Sequence, residues 1–311
     1  RLALRTHVTG RQACKTRFSA RIGRAPAHPA REKDRTVTDS PLISILMPIR
    51  NEAAHIERSL RAMLSQDYPG LTEVLCVDGM SDDGTRRVIL EIAHEDPRVR
   101  LLDNPRRITP AALNVGIQHA QYELVARMDA HTIAPPDYLR RCVETLVAHG
   151  ADCVGGGWEY QGTTYISKVI AAAMDSRFGP GPAPWRGARE AREADTVPFG
   201  LWRRERMLEL GGFDERLIRN QDYEFNYRLR ASGGKIIYSP DIKTTYYVRR
   251  NLRSLWRQYY QYGLWKARVV KMHPESFRLR HSAAPLFTAG AGGGAGLVLG
   301  RRLWRAVCSG L

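Results

Sequence analysis

Between residues 43 and 128, short apolar runs alternate with amphipathic ones, and the links between them are brief. Ile43–Met47 has strand character and stops at Pro48. Ile56, Leu60, Met63 and Leu64 then share one helix face, and Asn51 reads as the cap of that helix. Glu73–Val77, Val99–Leu102 and Leu124–Met128 are further strand-like runs. Helices are expected after Gly84-Thr85 and from Thr109-Pro110, where proline suits a first turn. Strand, helix and strand in strict succession with short links predict a parallel sheet flanked by helices, at least in this half, so the fold class is α/β.

In such a sheet the carboxyl ends of the strands share one edge, where ligands bind. The sequence places Pro48-Ile-Arg-Asn-Glu52, Asp78-Gly-Met-Ser-Asp-Asp-Gly-Thr85, Asn104-Pro-Arg-Arg107 and Asp129-Ala-His131 there. An Asp and a His offered together suit a hard divalent cation, and such a cation can clamp a diphosphate. Asp78, at the end of a buried strand, can accept a hydrogen bond from an imide N–H such as that of uracil. Asp83 also fits a helix N-cap.

Downstream, Asp137–Ala148 reads as a helix and Cys153–Tyr160 as a strand. The Gly/Pro-rich stretch 178–196 reads as a lid or binding loop. Gly211-Gly-Phe-Asp-Glu215 precedes Asn220-Gln-Asp-Tyr-Glu-Phe225, where Asp222 opens a helix. A carboxylate at that position favours the helix dipole and is also placed to take a proton from an incoming hydroxyl.

The charge is uneven. Of a formal net charge of +16, residues 1–40 hold ten basic side chains against three acids, and residues 249–280 hold nine against one. Residues 41–248 are close to neutral. This argues against a nucleic-acid groove in the fold and points the basic ends toward an anionic surface, lipid first. Residues 1–40 read as a basic, disordered extension. Asn251–Lys271 reads as a helix rich in Trp, Tyr and Arg, and the uncharged run Ala283–Gly300 is at the short limit for a membrane span. The expected location is the cytoplasmic face of a membrane, by surface association or a single C-terminal span. Five scattered cysteines without Cys-x-x-Cys spacing read as reduced thiols.

Taken in order, Pro-Ile-Arg-Asn-Glu, Val-Asp-Gly-x-Ser-Asp-Asp-Gly-Thr, Asp-Ala-His, Gly-Gly-Phe-Asp-Glu and Gln-Asp-Tyr-Glu resemble family 2 glycosyltransferases of the GT-A fold. Within that family the succinoglycan-type exopolysaccharide glucosyltransferases are most similar. The resemblance spans residues 41–275. It implies a catalytic domain over 41–248, with a nucleotide-binding half at 41–131 and an acceptor half at 132–248. A membrane-associated helical segment, 249–311, would follow.

The implied nucleotide-binding residues are Pro48, Arg50, Glu52, Asp78, Ser81 and Asn104. Asp129 and His131 would hold Mn²⁺ or Mg²⁺, and Asp222 would be the catalytic base. The expected partners are a nucleotide-sugar donor, a UDP-sugar first, and a lipid-linked or glycan acceptor. His131 replaces the second Asp of the Asp-x-Asp motif, and Gln221 stands where Glu is common. Gln258-Tyr-Tyr-Gln-Tyr262 lies where processive synthases carry Gln-x-x-Arg-Trp, which favours transfer of one sugar. Two other readings fit less well. A nucleotidyltransferase needs a glycine-rich loop after the first strand, and a non-catalytic membrane or nucleic-acid adaptor has no use for Asp78, Asp129 and Asp222.

Overall fold

A computed structural model describes residues 40–176, 188–278 and 281. The basic extension at 1–39, most of the Gly/Pro-rich loop and the run 283–300 lie outside the described residues. In chain order the elements begin with β1 (Ile43–Ile49), α1 (Ile56–Leu64), β2 (Thr72–Asp78), α2 (Thr85–Glu95), β3 (Val99–Asp103) and α3 (Thr109–His119). They continue with β4 (Leu124–Arg127), α4 (Tyr138–His149), β5 (Cys153–Gln161), α5 (Tyr165–Asp175), β6 (Arg192–Glu193) and β7 (Leu201–Arg203). The last are α6 (Arg204–Glu209), α7 (Gln221–Ala231), β8 (Ile236–Tyr247) and α8 (Leu252–Met272).

One sheet of order β3-β2-β1-β4-β7-β5-β8-β6 runs through the described residues. Strands β1 to β4 are mutually parallel, as the alternation predicts. The three-residue β7 pairs antiparallel with both β4 and β5, and β5 returns to a parallel pairing with β8. Because strands at the centre are covered on both faces, β1 and β2 are almost continuously buried and mostly apolar rather than alternating. Their residues supply two cores, one on each side of the sheet. Ile43, Ile45 and Met47 pack with Ile56, Leu60 and Met63 of α1, while Leu46 and Leu75 pack with Leu113 and Ile117 of α3. Gly116 lets α3 lie close, since a Cβ there would meet the Leu46 side chain at 2.8 Å. Cys76, Cys142 and Cys153 are buried free thiols.

Two caps differ from the sequence expectation. Asn51 does not cap α1, whose N-cap is His55. It adopts a left-handed conformation at φ 54° and ties two loops together. Asp83 is not the N-cap of α2 either, because Gly84 takes that place at φ 94°. Asp83 instead accepts from the Thr85 amide at 3.0 Å and from the Ala53 amide at 3.1 Å, bracing the start of α2 against the end of β1.

Candidate functional site

The carboxyl ends of β1, β2, β3 and β4 meet on one edge, and their loops are laced together. The Asn51 amide donates to Ser81 Oγ at 2.8 Å, the Asp82 amide to Asn51 Oδ1 at 3.1 Å, and the Glu52 amide to Thr85 Oγ1 at 2.9 Å. Asn51, Met80 and Arg107 all carry positive φ values on these loops. Such conformations cost a side-chain-bearing residue free energy and persist where surrounding bonds enforce them.

Between the loops lies a cavity of about 180 Å³. Pro48, Arg50, Glu52, Asn104, Asp129 and His131 line it, together with Arg127. The structure thus gathers six of the eight residues expected to bind nucleotide or metal. Asp78 and Ser81 do not line it. Asp78 is fully buried, and its carboxylate already accepts from the Ser81 amide and hydroxyl and from Arg86 at 2.8 Å. Asn104, in contrast, is 2% exposed, and its side-chain oxygen has no protein partner. Its amide nitrogen donates to the Ile108 carbonyl at 3.0 Å, which fixes the side chain's orientation.

His131 and Glu52 form a pair, with Nδ1 3.1 Å from Oε1. That bond, with the Asp129 and Glu52 charges nearby, raises the imidazole pKa, and burial opposes it only in part. In the neutral ring, Nδ1–H donating to Glu52 leaves the lone pair on Nε2. This is the carboxylate–histidine arrangement that prepares a metal ligand. Asp129 is held by Arg127 through a forked contact, Nε to Oδ1 at 3.0 Å and Nη2 to Oδ2 at 3.2 Å. No group of three metal-ligating side chains gathers among the described residues. One carboxylate and one imidazole still fit a cation of the Mg²⁺ type, which takes its other ligands from phosphate and water.

Asp222 stands in the first turn of α7, partly buried, with its Oδ1 accepting from the Tyr223 amide at 2.8 Å. It belongs to the same electrostatic neighbourhood. Burial lowers the pKa of Arg127, but the carboxylates of Asp129 and then Asp222 outweigh this and hold its guanidinium above its usual range. Lys266 of α8 also feels Asp222, yet burial pulls its ammonium down to about 8. Tyr262, from the same helix, is raised by burial, with Asp222 contributing.

Arg127 and Lys266 were not singled out in the sequence, and Tyr262 was read there only as part of Gln258-Tyr-Tyr-Gln-Tyr262. Arg127 looks there like an ordinary polar position in a strand, although its place two residues before Asp129 was a usable signal. The link between α8 and the site is a tertiary fact. Gln258 donates to the hydroxyls of Tyr246 and Tyr262, and Arg249 donates to Gln258 at 2.9 Å.

The Gly-Gly-Phe-Asp-Glu segment is a clasp. Asn114 of α3 accepts from the Phe213 amide and donates to the Phe213 carbonyl and to Glu215. Arg228 of α7 reaches the carbonyls of Leu210 and Gly212 and forks onto Glu224. The segment therefore joins α3 to α7, the helix that carries Asp222.

Comparison with known proteins follows the same lines. Residues 44–192 match the profile of glycosyl transferase family 2. The chain is 36% identical over 231 residues to the succinoglycan biosynthesis protein ExoA of Rhizobium meliloti strain 1021, covering 74% of this chain and 70% of that protein. It is 30% identical over 237 residues to a Methanococcus voltae enzyme, dolichyl N-acetyl-alpha-D-glucosaminyl phosphate 3-beta-D-2,3-diacetamido-2,3-dideoxy-beta-D-glucuronosyltransferase, covering 74% of each.

Among solved structures, the mannosyltransferase PcManGT from Pyrobaculum calidifontis, in complex with GDP-Man and Mn²⁺, aligns with TM-score 0.59 and 23% identity over 86% of this chain and 81% of that one. S. aureus TarS in complex with UDP aligns with TM-score 0.52 and 18% identity over 66% of this chain, which spans 60% of the TarS chain. These two likenesses speak for the fold, a GT-A sheet. With its strand-end residues in family order on that sheet, and with identities of 36% and 30% over 70% and 74% of those two relatives, the chain is an enzyme of glycosyltransferase family 2.

Proposed function

We propose that the enzyme transfers one sugar, with inversion, from a nucleoside-diphosphate sugar to a lipid-linked or polysaccharide acceptor in envelope or exopolysaccharide synthesis. UDP-sugars are the first donors to try. The observation that carries this reading is the position of Arg127, which lines the cavity, forks onto Asp129 and lies within the field of Asp222. The donor-side carboxylate and the proposed base thus share one centre.

In this reading the nucleotide enters the edge cavity. The orphaned Asn104 oxygen is the acceptor available to a base N–H, and Asp78 acts from behind by fixing Ser81 and Arg86. Asp129 and His131 would hold Mn²⁺ or Mg²⁺, which when bound supplies positive charge to the departing diphosphate, a contribution of several kcal/mol. Arg50 and Arg107 stand at the same cavity and add charge of the same sign. Asp222 takes the proton of the acceptor hydroxyl as it attacks the anomeric carbon from the opposite side, and one such displacement inverts that carbon. A positioned general base contributes ~10²–10⁴-fold.

The ends of the chain supply the location. Among the described residues no helix is long and apolar enough to cross a membrane. On α8, Trp256, Tyr260 and Leu264 are exposed beside Arg253, Arg257 and Arg268. That composition suits the headgroup zone of an anionic cytoplasmic leaflet.

The test is a screen of nucleotide sugars for metal-dependent release of nucleoside diphosphate, with polyprenyl-diphosphate oligosaccharides as acceptors. Transfer that needs both a nucleotide sugar and such an acceptor is expected. Failure of every nucleotide sugar, with Mn²⁺ and with Mg²⁺, would overturn the proposal.

A further inference from the structure

Asp129 is not a free carboxylate awaiting a cation. Its two oxygens face a guanidinium fork, with Arg127 Nη2 also 2.9 Å from Oδ1. The pair is secluded, at 11% exposure for the arginine side chain and 21% for the aspartate. A forked contact of this kind is among the stronger charge-assisted pairings, and burial deepens it because water cannot replace either partner. A divalent ion arriving at Asp129 alone must therefore draw the carboxylate from Arg127, or accept a fixed positive charge one carboxylate away. Both weaken its binding. Beside Asp129, the carboxylate of Asp222 also acts on Arg127, so the guanidinium has a second negative charge within its field. A diphosphate changes the balance, since its negative charge lets a metal ion and an arginine occupy neighbouring positions.

We propose that Arg127 is a positioning residue that occupies the cation place of the resting site and yields Asp129 to the metal only when a nucleoside diphosphate enters with it, coupling the two binding events. This rests on Asp129 as metal ligand, as proposed above, and goes beyond it by naming the residue that sets the order. Because coupling is reciprocal, the factor by which the nucleotide tightens the metal equals the factor by which the metal tightens the nucleotide. The apparent affinity for metal alone is lowered by the small fraction of molecules in which Asp129 is free.

The experiment is calorimetric titration of the full chain with Mn²⁺ alone, with UDP alone, and with Mn²⁺ in the presence of saturating UDP, for the unmodified protein, Arg127→Met and Arg127→Lys. Unmodified protein should bind Mn²⁺ alone weakly, and UDP should tighten it by a factor within the usual range of couplings, about 5–150-fold. Arg127→Met should bind Mn²⁺ alone roughly tenfold more tightly and lose most of that factor. Arg127→Lys keeps the charge without the fork and should fall between them.

Equal or weaker binding of Mn²⁺ alone by Arg127→Met, with its melting transition intact, would show the arginine to be a structural partner only. If Arg127→Met does not fold, the lysine variant and the unmodified protein decide. Mn²⁺ binding by the unmodified protein that is equally tight with and without UDP also overturns the coupling. Absence of Mn²⁺ binding under every condition removes Asp129 as metal ligand, a different failure from loss of the coupling alone.

Discussion

Asp222 and Lys266 are the residues whose chemistry is easiest to isolate. Asn is nearly isosteric with Asp and still accepts the Tyr223 amide bond, but it cannot take a proton. Asp222→Asn is therefore expected to keep the melting temperature and nucleotide affinity while lowering turnover ~10²–10⁴-fold. Turnover close to that of the unmodified enzyme would remove Asp222 as the base. Lys266 stands over the Tyr223 ring and near Asp222, and burial brings it to about 8. In the unfolded chain it keeps its proton to a much higher pH. Between those two values the unfolded state binds more protons, so this lysine's contribution to stability rises as pH rises. A Lys266→Met variant should thus gain most over the unmodified protein near pH 7, and the gain should shrink above about pH 9. Melting temperatures at the two pH values measure it, and a pH-independent difference would contradict the half-buried, depressed ammonium.

At the scale of elements, the Gly-Gly-Phe-Asp-Glu clasp gives the sharpest test. Gly212 sits at φ 70°, and a Cβ there would lie 2.5 Å from Asn114 Oδ1. Gly212→Ala is expected to destabilise by about 1–3 kcal/mol through strain alone, and further through the displaced Asn114 bonds. Gly233→Ala, at φ 81° with open space around it, should show only the first effect. Urea unfolding of the two variants separates them, and equal losses would mean that Asn114 yields freely.

The same elements show what a sequence can and cannot reveal. The parallel half was legible because Ile43–Met47, Glu73–Val77 and Leu124–Met128 are dense apolar runs at regular intervals. Strand β7 was not, since Leu201-Trp-Arg203 is too short for any periodicity. Strand β8 was hidden by Pro240, which breaks a strand pattern. It is accommodated because the pairing with β5 shifts register between Gly155 and Gly157, as bulges permit. Helix α5 was masked by its own exposed apolar residues, Tyr165, Ile166 and Val169. Asp129, His131 and Asn104 were legible as strand-end residues, whereas the burial of Asp78 behind Ser81 and Arg86 depends on loop packing that no spacing encodes.

For the whole molecule, the division between a nearly neutral sheet region and basic ends predicts how the protein partitions. Each basic side chain near an anionic leaflet adds ~1 kcal/mol, and salt screens it. Full-length protein should sediment with vesicles containing anionic lipid at low salt and be released as salt rises, and a Trp256→Ser, Tyr260→Ser variant should bind less at every salt concentration. Protein that stays in the supernatant at low salt would exclude the role given to α8.

Helix α8 turns Gln258 inward and brings Tyr262 and Lys266 near Asp222, while Trp256, Tyr260 and Leu264 look outward. In the proposed reading the helix itself, about 10–12 Å across, lies between Asp222 and whatever rests on the outer face. Any acceptor held at that outer face must project its reacting hydroxyl by about the same distance. On that proposal the helix would act as a gauge, and an acceptor tethered too short would fail to reach the base however well its sugar fits.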